Sequence, residues 1–266
     1  MAIIKKTIIV PILKLISPIF NQDTVLKEIE YKFEGSNLGL EMSSVFISDI
    51  HFDDNYESFI KFYETINQIK NIKPDVIFLG GDYLGDFKHY NKNYEDRIIS
   101  AFNKLSKIAP VYAIAGNHEY YNNSSFVDAL KNSNVNLLIN ECSIIKFRGA
   151  KICLRGFGDN ITNNYQYIPY PNDQYDLYLN LVHDPYLIQL INEKGFYLAG
   201  HTHDGQIRIP YVNPSAWIPS EAKNEYINGF NQDSVKSWYT SSGYGTSTAP
   251  IRIGTQSEIV LIRLKF

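Results

Sequence analysis

The chain has 266 residues, enough for one large domain or two small ones and for a real hydrophobic core. With 44% hydrophobic and 20% charged residues it is an ordinary globular composition, which excludes disorder as its main character. A net charge of −3 excludes a broad basic surface, and no nucleic-acid partner is expected.

Residues 1–20 begin with Lys5 and Lys6 and continue as an apolar run broken by Lys14. The run is shorter than the ~18 apolar residues that span a bilayer, and no small-residue cleavage site follows Phe20. One reading is peripheral membrane contact, with the three lysines at lipid headgroups. The preferred reading is a leading segment packed on the domain. Residues 1–40 are grouped as that segment and residues 41–266 as one domain, with no repeat or linker inside it.

Past residue 41, strands and helices alternate. Residues 44–48 form a short apolar strand ending at Asp49. Residues 56–71 carry Phe59, Phe62, Tyr63, Ile66 and Ile69 at helical spacing. Residues 76–79 are a buried-type strand stopped by Gly80-Gly81. A helix follows over 95–108, a strand over 111–115 ended by Gly116, and a short helix over 126–132. Strands over 137–139, 142–147 and 151–156 form a meander with turns at Asn140-Glu141 and Gly149. A strand (177–182), a helix (186–194) and strands over 196–199, 238–241 and 258–266 complete the chain. This order predicts an α/β fold of two packed sheets with helices outside. Cys142 and Cys153 fit neither a disulfide framework nor a thiolate zinc cluster, and read as small core residues in a reducing compartment.

The chemistry lies where the strands stop. Of six histidines, only His89 sits in a polar loop, where it reads as a surface residue. Ser48-Asp49-Ile50-His51 places a carboxylate and an imidazole two apart, on one side of an extended chain. Gly80-Gly81-Asp82, Gly116-Asn117-His118-Glu119, Val182-His183-Asp184 and Gly200-His201-Thr202-His203 follow later strands. Ligand sites in open α/β sheets form beyond the carboxyl ends of strands. Each segment alone is weak or moderate evidence. Together they offer Asp49, Asp82, Asn117, His51, His183, His201 and His203, with His118 left over. Oxygen and imidazole donors without thiolate suit Mn, Fe or Zn. Seven donors exceed one tetrahedral site and suit two ions bridged by a carboxylate, about 3.5–4 Å apart.

These blocks, with His201-Thr202-His203-Asp204-Gly205-Gln206 and the later Ser241-Ser242-Gly243-Tyr244-Gly245-Thr246, resemble the calcineurin-like metallophosphoesterase superfamily over residues 44–266. The branch resembled is that of bacterial membrane-associated or secreted phosphoesterases, where a glycine usually stands at Asp204. The resemblance implies a four-layer α-β-β-α sandwich of two mixed sheets, the metallo-dependent phosphatase fold. It implies one metal on Asp49, His51 and His203, a second on Asn117, His183 and His201, and Asp82 between them. It makes His118 the acid toward the leaving group. Asp49 is expected to orient His118, as carboxylates orient imidazoles elsewhere, and Asp204 to add a carboxylate near the metals.

The expected activity is hydrolysis of a phosphodiester or pyrophosphate in a lipid- or nucleotide-linked molecule, in the bacterial cytoplasm or at the inner-membrane surface. The resemblance reaches enzymes that hydrolyse UDP-2,3-diacylglucosamine in lipid A synthesis. The alternative is a non-catalytic scaffold on the same fold, which retention of every ligand disfavours. Glu119, Tyr120 and Tyr121 read as cleft or ordinary loop, and Asp53 and Asp54 as a solvated loop. Arg208 and Arg252 are minor candidates for phosphate contact.

Overall fold

A computed structural model describes residues 24–85, 90–121, 125–208, 218 and 220–266. His89 and residues 1–20, with the readings attached to them, lie outside these. No helix among the described residues is long and apolar enough to cross a membrane.

Side-chain alternation decides the layering. In β2 (Glu41–Ile47), Val45 and Ile47 enter one apolar cluster and Phe46 another. In β3 (Val76–Leu79), Ile77 and Leu79 oppose Val76 and Phe78 in the same way. Strands apolar on both faces need cover on both faces. Helices α1 (Tyr56–Ile72) and α2 (Lys92–Leu105) supply it on one side. They bring Phe59, Phe62 and Ile69, and Ile98, Phe102 and Leu105, onto Val45, Ile47, Ile77 and Leu79. Each buried side chain of this size stabilises the fold by roughly 1.5–3 kcal/mol. Asn55 starts α1 by accepting from Ser58 N at 2.9 Å, and Lys73, left-handed at φ 53°, ends it ahead of Pro74. Asn91 caps α2 through Tyr94 N at 3.0 Å, so that helix begins one turn before the expected Glu95.

The first sheet continues through β4 (Val111–Ala113) and β5 (Asn136–Leu137), all parallel to β2 and β3. Between β4 and β5 lie the short helices α3 (Asn117–Tyr120) and α4 (Ser125–Lys131). The second sheet holds β6 (Glu141–Phe147), β7 (Ala150–Gly156), β8 (Leu177–Leu181), β9 (Gly195–Ala199), β10 (Gly229–Gln232) and β11 (Lys236–Thr240), in the order β10-β11-β9-β8-β7-β6. Arg148 (φ 47°) and Gly149 (φ 92°) make the two-residue turn of the β6–β7 hairpin. Across that hairpin the free thiols of Cys142 and Cys153 approach to 3.1 Å, the second fully buried. Helix α5 (Tyr186–Leu190) covers the outer face with Leu187 and Ile188 on Val182, Tyr197 and Trp238. It ends earlier than expected because Ile191 is extended, and the buried Lys236 ammonium donates to the carbonyls of Ile188 and Ile191. Phe46, Phe78 and Ile114 meet Leu154, Leu179, Leu181 and Phe196 between the sheets. The layers are therefore α-β-β-α.

The expected boundary at residue 40 does not fit this packing. Residues 25–32 are β1 (Val25–Lys32), parallel to β12 (Glu258–Lys265) at the edge of the first sheet, whose order is β1-β12-β2-β3-β4-β5. Tyr31 stacks on Phe196 of the other sheet, centroids 4.3 Å apart.

Candidate active site

Strands β2, β3 and β4 run parallel in one sheet, and β8, β9 and β11 in the other. The loops leaving the carboxyl ends of five of them carry the seven expected ligands and His118. Asp49 and His51 follow β2, Asp82 follows β3, and Asn117 and His118 open α3 after β4. His183 follows β8, and His201 and His203 follow β9.

Alternation is not what aligns these side chains. Asp49, His51, Asp82, His201 and His203 all lie in the left-handed region, at φ 55°, 45°, 54°, 69° and 50°. That backbone costs about 1–3 kcal/mol per non-glycine residue, and Asp and His are among the types that tolerate it best. Links between the loops hold it: Asp49 N donates to Gly81 O at 2.9 Å and His51 N to Asp82 O at 3.0 Å. His201 N donates to Asp49 Oδ1 at 2.8 Å. A methyl group at Gly116 would stand 2.3 Å from Asp82 Oδ1, and one at Gly200 would stand 2.2 Å from Asp49 Oδ2. Both positions accept only glycine without rebuilding the site.

The side chains converge in trios whose donor atoms lie within 4.8 Å of one another: Asp49, His51 and His203; Asp82, His183 and His201; and His51, Asp82 and His118. His51 Nε2 and His203 Nε2 are 2.9 Å apart, and His203 Nε2 is 3.5 Å from Asp49 Oδ1. Asp82 divides its oxygens, with Oδ1 3.2 Å from His183 Nε2 and Oδ2 3.6 Å from His51 Nε2. Asn117 Oδ1 is buried with no hydrogen-bond partner. Burial without a partner is costly for an amide oxygen, and a cation would supply one. This donor set fits a pair of divalent ions.

Ring orientation is set from outside the cluster. His183 Nδ1 donates to Gly80 O at 2.8 Å, turning Nε2 inward. His118 Nδ1 donates to Leu84 O at 2.7 Å, with Nε2 3.8 Å from Asp82 Oδ2. Leu84, not the expected Asp49, orients His118; the Asp49 carboxylate accepts from the His201 amide instead.

Burial, reinforced by the neighbouring His118 imidazole, lowers His51 to about 3. Burial with His51 and Arg252 holds His203 well below the ordinary histidine value. Both are neutral near pH 7, the state that ligates a cation. Burial opposes ionisation of Asp82, but His183, His118 and His51 hold it well below the carboxylate range. Burial likewise opposes charge on His183, which the Asp82 carboxylate raises well above its usual value.

Two structural roles went unread in the sequence. Glu119 is fully buried and gathers four backbone N–H groups. Its Oε2 accepts from Asp82 and Gly116, both at 2.8 Å, and its Oε1 from Tyr83 at 2.8 Å and Leu84 at 3.2 Å. Burial and the charge on Asp82 push it up to about 8, against those donors. The Glu119 bond to Gly116 N is the carboxylate half of a capping box, but a glycine at the cap has no side chain for the other half, so the sequence carries no such signal. Arg252 is buried and does not await phosphate. It donates to the carbonyls of His203, Gly243 and Gly245, and its Nη2 stands 3.2 Å from His203 Nδ1. Arg208 is likewise committed, 2.9 Å from Asp204 Oδ1. Asp204 stands at φ 53°, which explains the usual glycine, and its carboxylate joins Arg208 rather than the trios. Asp54 pairs with Arg97 at 3.1 Å.

The model of the calcineurin-like phosphoesterase family matches residues 42–241. Phosphodiesterase YaeI of Escherichia coli is 30% identical over 199 residues, covering 72% of this chain and 71% of that protein. The uncharacterized metallophosphoesterase YkoQ of Bacillus subtilis is 26% identical, covering 82% of each chain. The uncharacterized metallophosphoesterase Cj0846 of Campylobacter jejuni is 28% identical over 86% of this chain and 60% of its own length. The match spans both sheets and every loop of the Asp/His cluster, and the chain belongs to the calcineurin-like phosphoesterase family, as a metal-dependent phosphoric ester hydrolase.

Proposed function

We propose that the chain is a dinuclear phosphodiesterase. One divalent ion would be held by Asp49, His51 and His203, the other by Asn117, His183 and His201, with Asp82 shared. The division of the Asp82 oxygens between the two histidine groups carries this assignment. Two bound dications would supply Lewis acidity that makes a nucleophile available near neutral pH and offsets charge on the phosphoryl oxygens.

The chain's own groups complete the chemistry. His118 Nδ1 is committed to Leu84 O, so Nε2 is the atom that holds a proton for the departing oxygen. The Glu119 carboxylate fixes the backbone of Asp82 through Leu84 and so keeps the Leu84 carbonyl on His118. Arg252 ties the loop of Gly243 and Gly245 to His203. The finer reading is a diester or pyrophosphate bond in a lipid- or nucleotide-linked molecule, met in the cytoplasm or at the inner-membrane surface. An apolar-walled cavity over the site supports the lipid side of it.

The test is hydrolysis of bis(p-nitrophenyl) phosphate and p-nitrophenyl phosphate by metal-stripped protein given Mn, Zn, Fe, Mg or buffer alone. Metal-restored cleavage favouring the diester is expected. Silence with every metal, in protein shown to bind two ions, would refute the reading.

A further inference from the structure

Two cavities border the Asp/His cluster, and they differ in character. The first, of about 510 Å³, reaches Asp82, Asn117, His118, His201 and His203 at its base. That volume is in the ~300–1,000 Å³ range of small-molecule sites. Its walls include Tyr121, Ile161, Ile207, Ile218 and Ala249. Tyr121 is 55% and Ile161 37% exposed, large apolar groups left facing solvent beside buried histidines. Among the described residues no lysine or arginine lines this cavity. Its longest polar side chain is already used: Gln206 Nε2 donates to Ser247 O and Ala249 O, and its Oε1 accepts from Ser247 N. The second cavity, of about 370 Å³, borders His51 and Arg252 and is lined by Asp53, Glu57 and Lys61. His118 lines the first cavity and not the second.

We infer that the apolar cavity receives the leaving group, and that this group is an uncharged alcohol with a sizeable apolar body. The inference rests on the phosphodiesterase reading above. Among the described residues, a second phosphate or a nucleotide would find no lysine or arginine in that cavity, whereas an alkyl body would cover Tyr121, Ile161 and Ile207. Each buried methylene is worth about fourfold in binding. The polar substituent stays on phosphorus toward the charged cavity. In the step, the oxygen of water joins phosphorus and the bond from phosphorus to the alkyl oxygen breaks. That oxygen takes the proton from His118 Nε2, and a water proton returns to the histidine through solvent, so one water is consumed.

Glyceryl decyl phosphate tests this, because either of two bonds can break. The neighbouring hydroxyl makes glycerol the better intrinsic leaving group, so chemistry alone favours glycerol and decyl phosphate. The cavity reverses this, and decanol with glycerol phosphate should exceed the other pair by about tenfold or more, the equivalent of two buried methylenes. Ile161→Asn and the exposed Tyr121→Ala should both pull the ratio toward one. A second readout needs no turnover. Decanol titrated onto the holoprotein carrying labelled isoleucine methyls should shift Ile161, Ile207 and Ile218 before other isoleucines. Predominant glycerol release, or no reaction by protein that cleaves bis(p-nitrophenyl) phosphate, overturns the inference and leaves the phosphodiesterase reading standing. Unshifted methyls overturn it as well. Failure on bis(p-nitrophenyl) phosphate with every metal instead refutes the activity itself.

Discussion

Replacing Glu119 with glutamine changes one oxygen to an amide nitrogen and hardly alters shape. Each Glu119 oxygen accepts two backbone N–H groups, from Asp82 and Gly116 on one side and from Tyr83 and Leu84 on the other. The glutamine oxygen serves one pair, and its NH2 then faces the other pair with donors of its own. Two buried N–H groups lose their acceptor, at about 1–3 kcal/mol each, so Glu119→Gln should cost about 2–6 kcal/mol. No acceptor awaits a carboxyl hydrogen here, so the geometry requires the ionised acid. Urea unfolding of metal-free wild type and variant at pH 9, above the value of about 8 to which burial pushes Glu119, isolates the effect. Because Asp82 N and the Leu84 carbonyl are positioned through this carboxylate, Mn affinity should fall too. A loss below about 1 kcal/mol would refute the claim that Glu119 organises these loops.

Asp82→Ala and His201→Ala should each abolish hydrolysis and lower bound metal measured by elemental analysis, whereas His118→Ala should cut turnover with both ions retained. Arg252→Met removes the donor shared by His203, Gly243 and Gly245 and should weaken metal binding about 10–100-fold in a chelator competition, as loss of a ligand's supporting bonds does elsewhere. His51 titrates at about 3 folded and near its ordinary 6.5 unfolded. The unfolded chain therefore takes up this proton first, and the stability is present above pH 6.5 and lost as pH falls toward 3. In metal-free protein, His51→Gln should gain on wild type by about 1.4 kcal/mol per pH unit between about pH 6 and 4, read by urea unfolding. Tyr31→Ala should cost about 3 kcal/mol if β1 is integral to the core, and a neutral result would return residues 25–32 to the leading segment.

The site residues were legible because each follows a short apolar run, and such runs announce strand ends without any knowledge of pairing. Val76-Ile77-Phe78-Leu79 before Gly80-Gly81-Asp82 is the clearest case. What depends on a distant partner left less trace. β1 alternates polar and apolar residues, but its place is set by β12, more than two hundred residues away. The Leu84 carbonyl that orients His118 has no sequence signature, since every residue has a carbonyl. A carboxylate is the orienting partner that a sequence makes visible, and a backbone acceptor is not. Arg252 differs from the expected phosphate contact for a similar reason: a sequence shows its charge and not its burial.

Asp49 and His51 do come together, but not by the mechanism expected of an extended chain. Extended alternation would align their side chains, yet both residues lie past the strand with φ of 55° and 45°. Convergence on His203 comes from left-handed backbone at five of the seven proposed ligands, held by bonds between loops of different strands. At about 1–3 kcal/mol each, that conformation consumes an amount comparable to the ~5–15 kcal/mol net stability of a whole domain. Residue identity at these positions is therefore constrained twice, by the donor atom and by tolerance of positive φ. Asparagine at position 82 would keep the backbone and weaken the bridge. A β-branched residue at position 49 or 201 would break the backbone before ligation entered the question. Aspartate and histidine meet both requirements, and this physical coincidence lets a strained loop at a strand end also be a site.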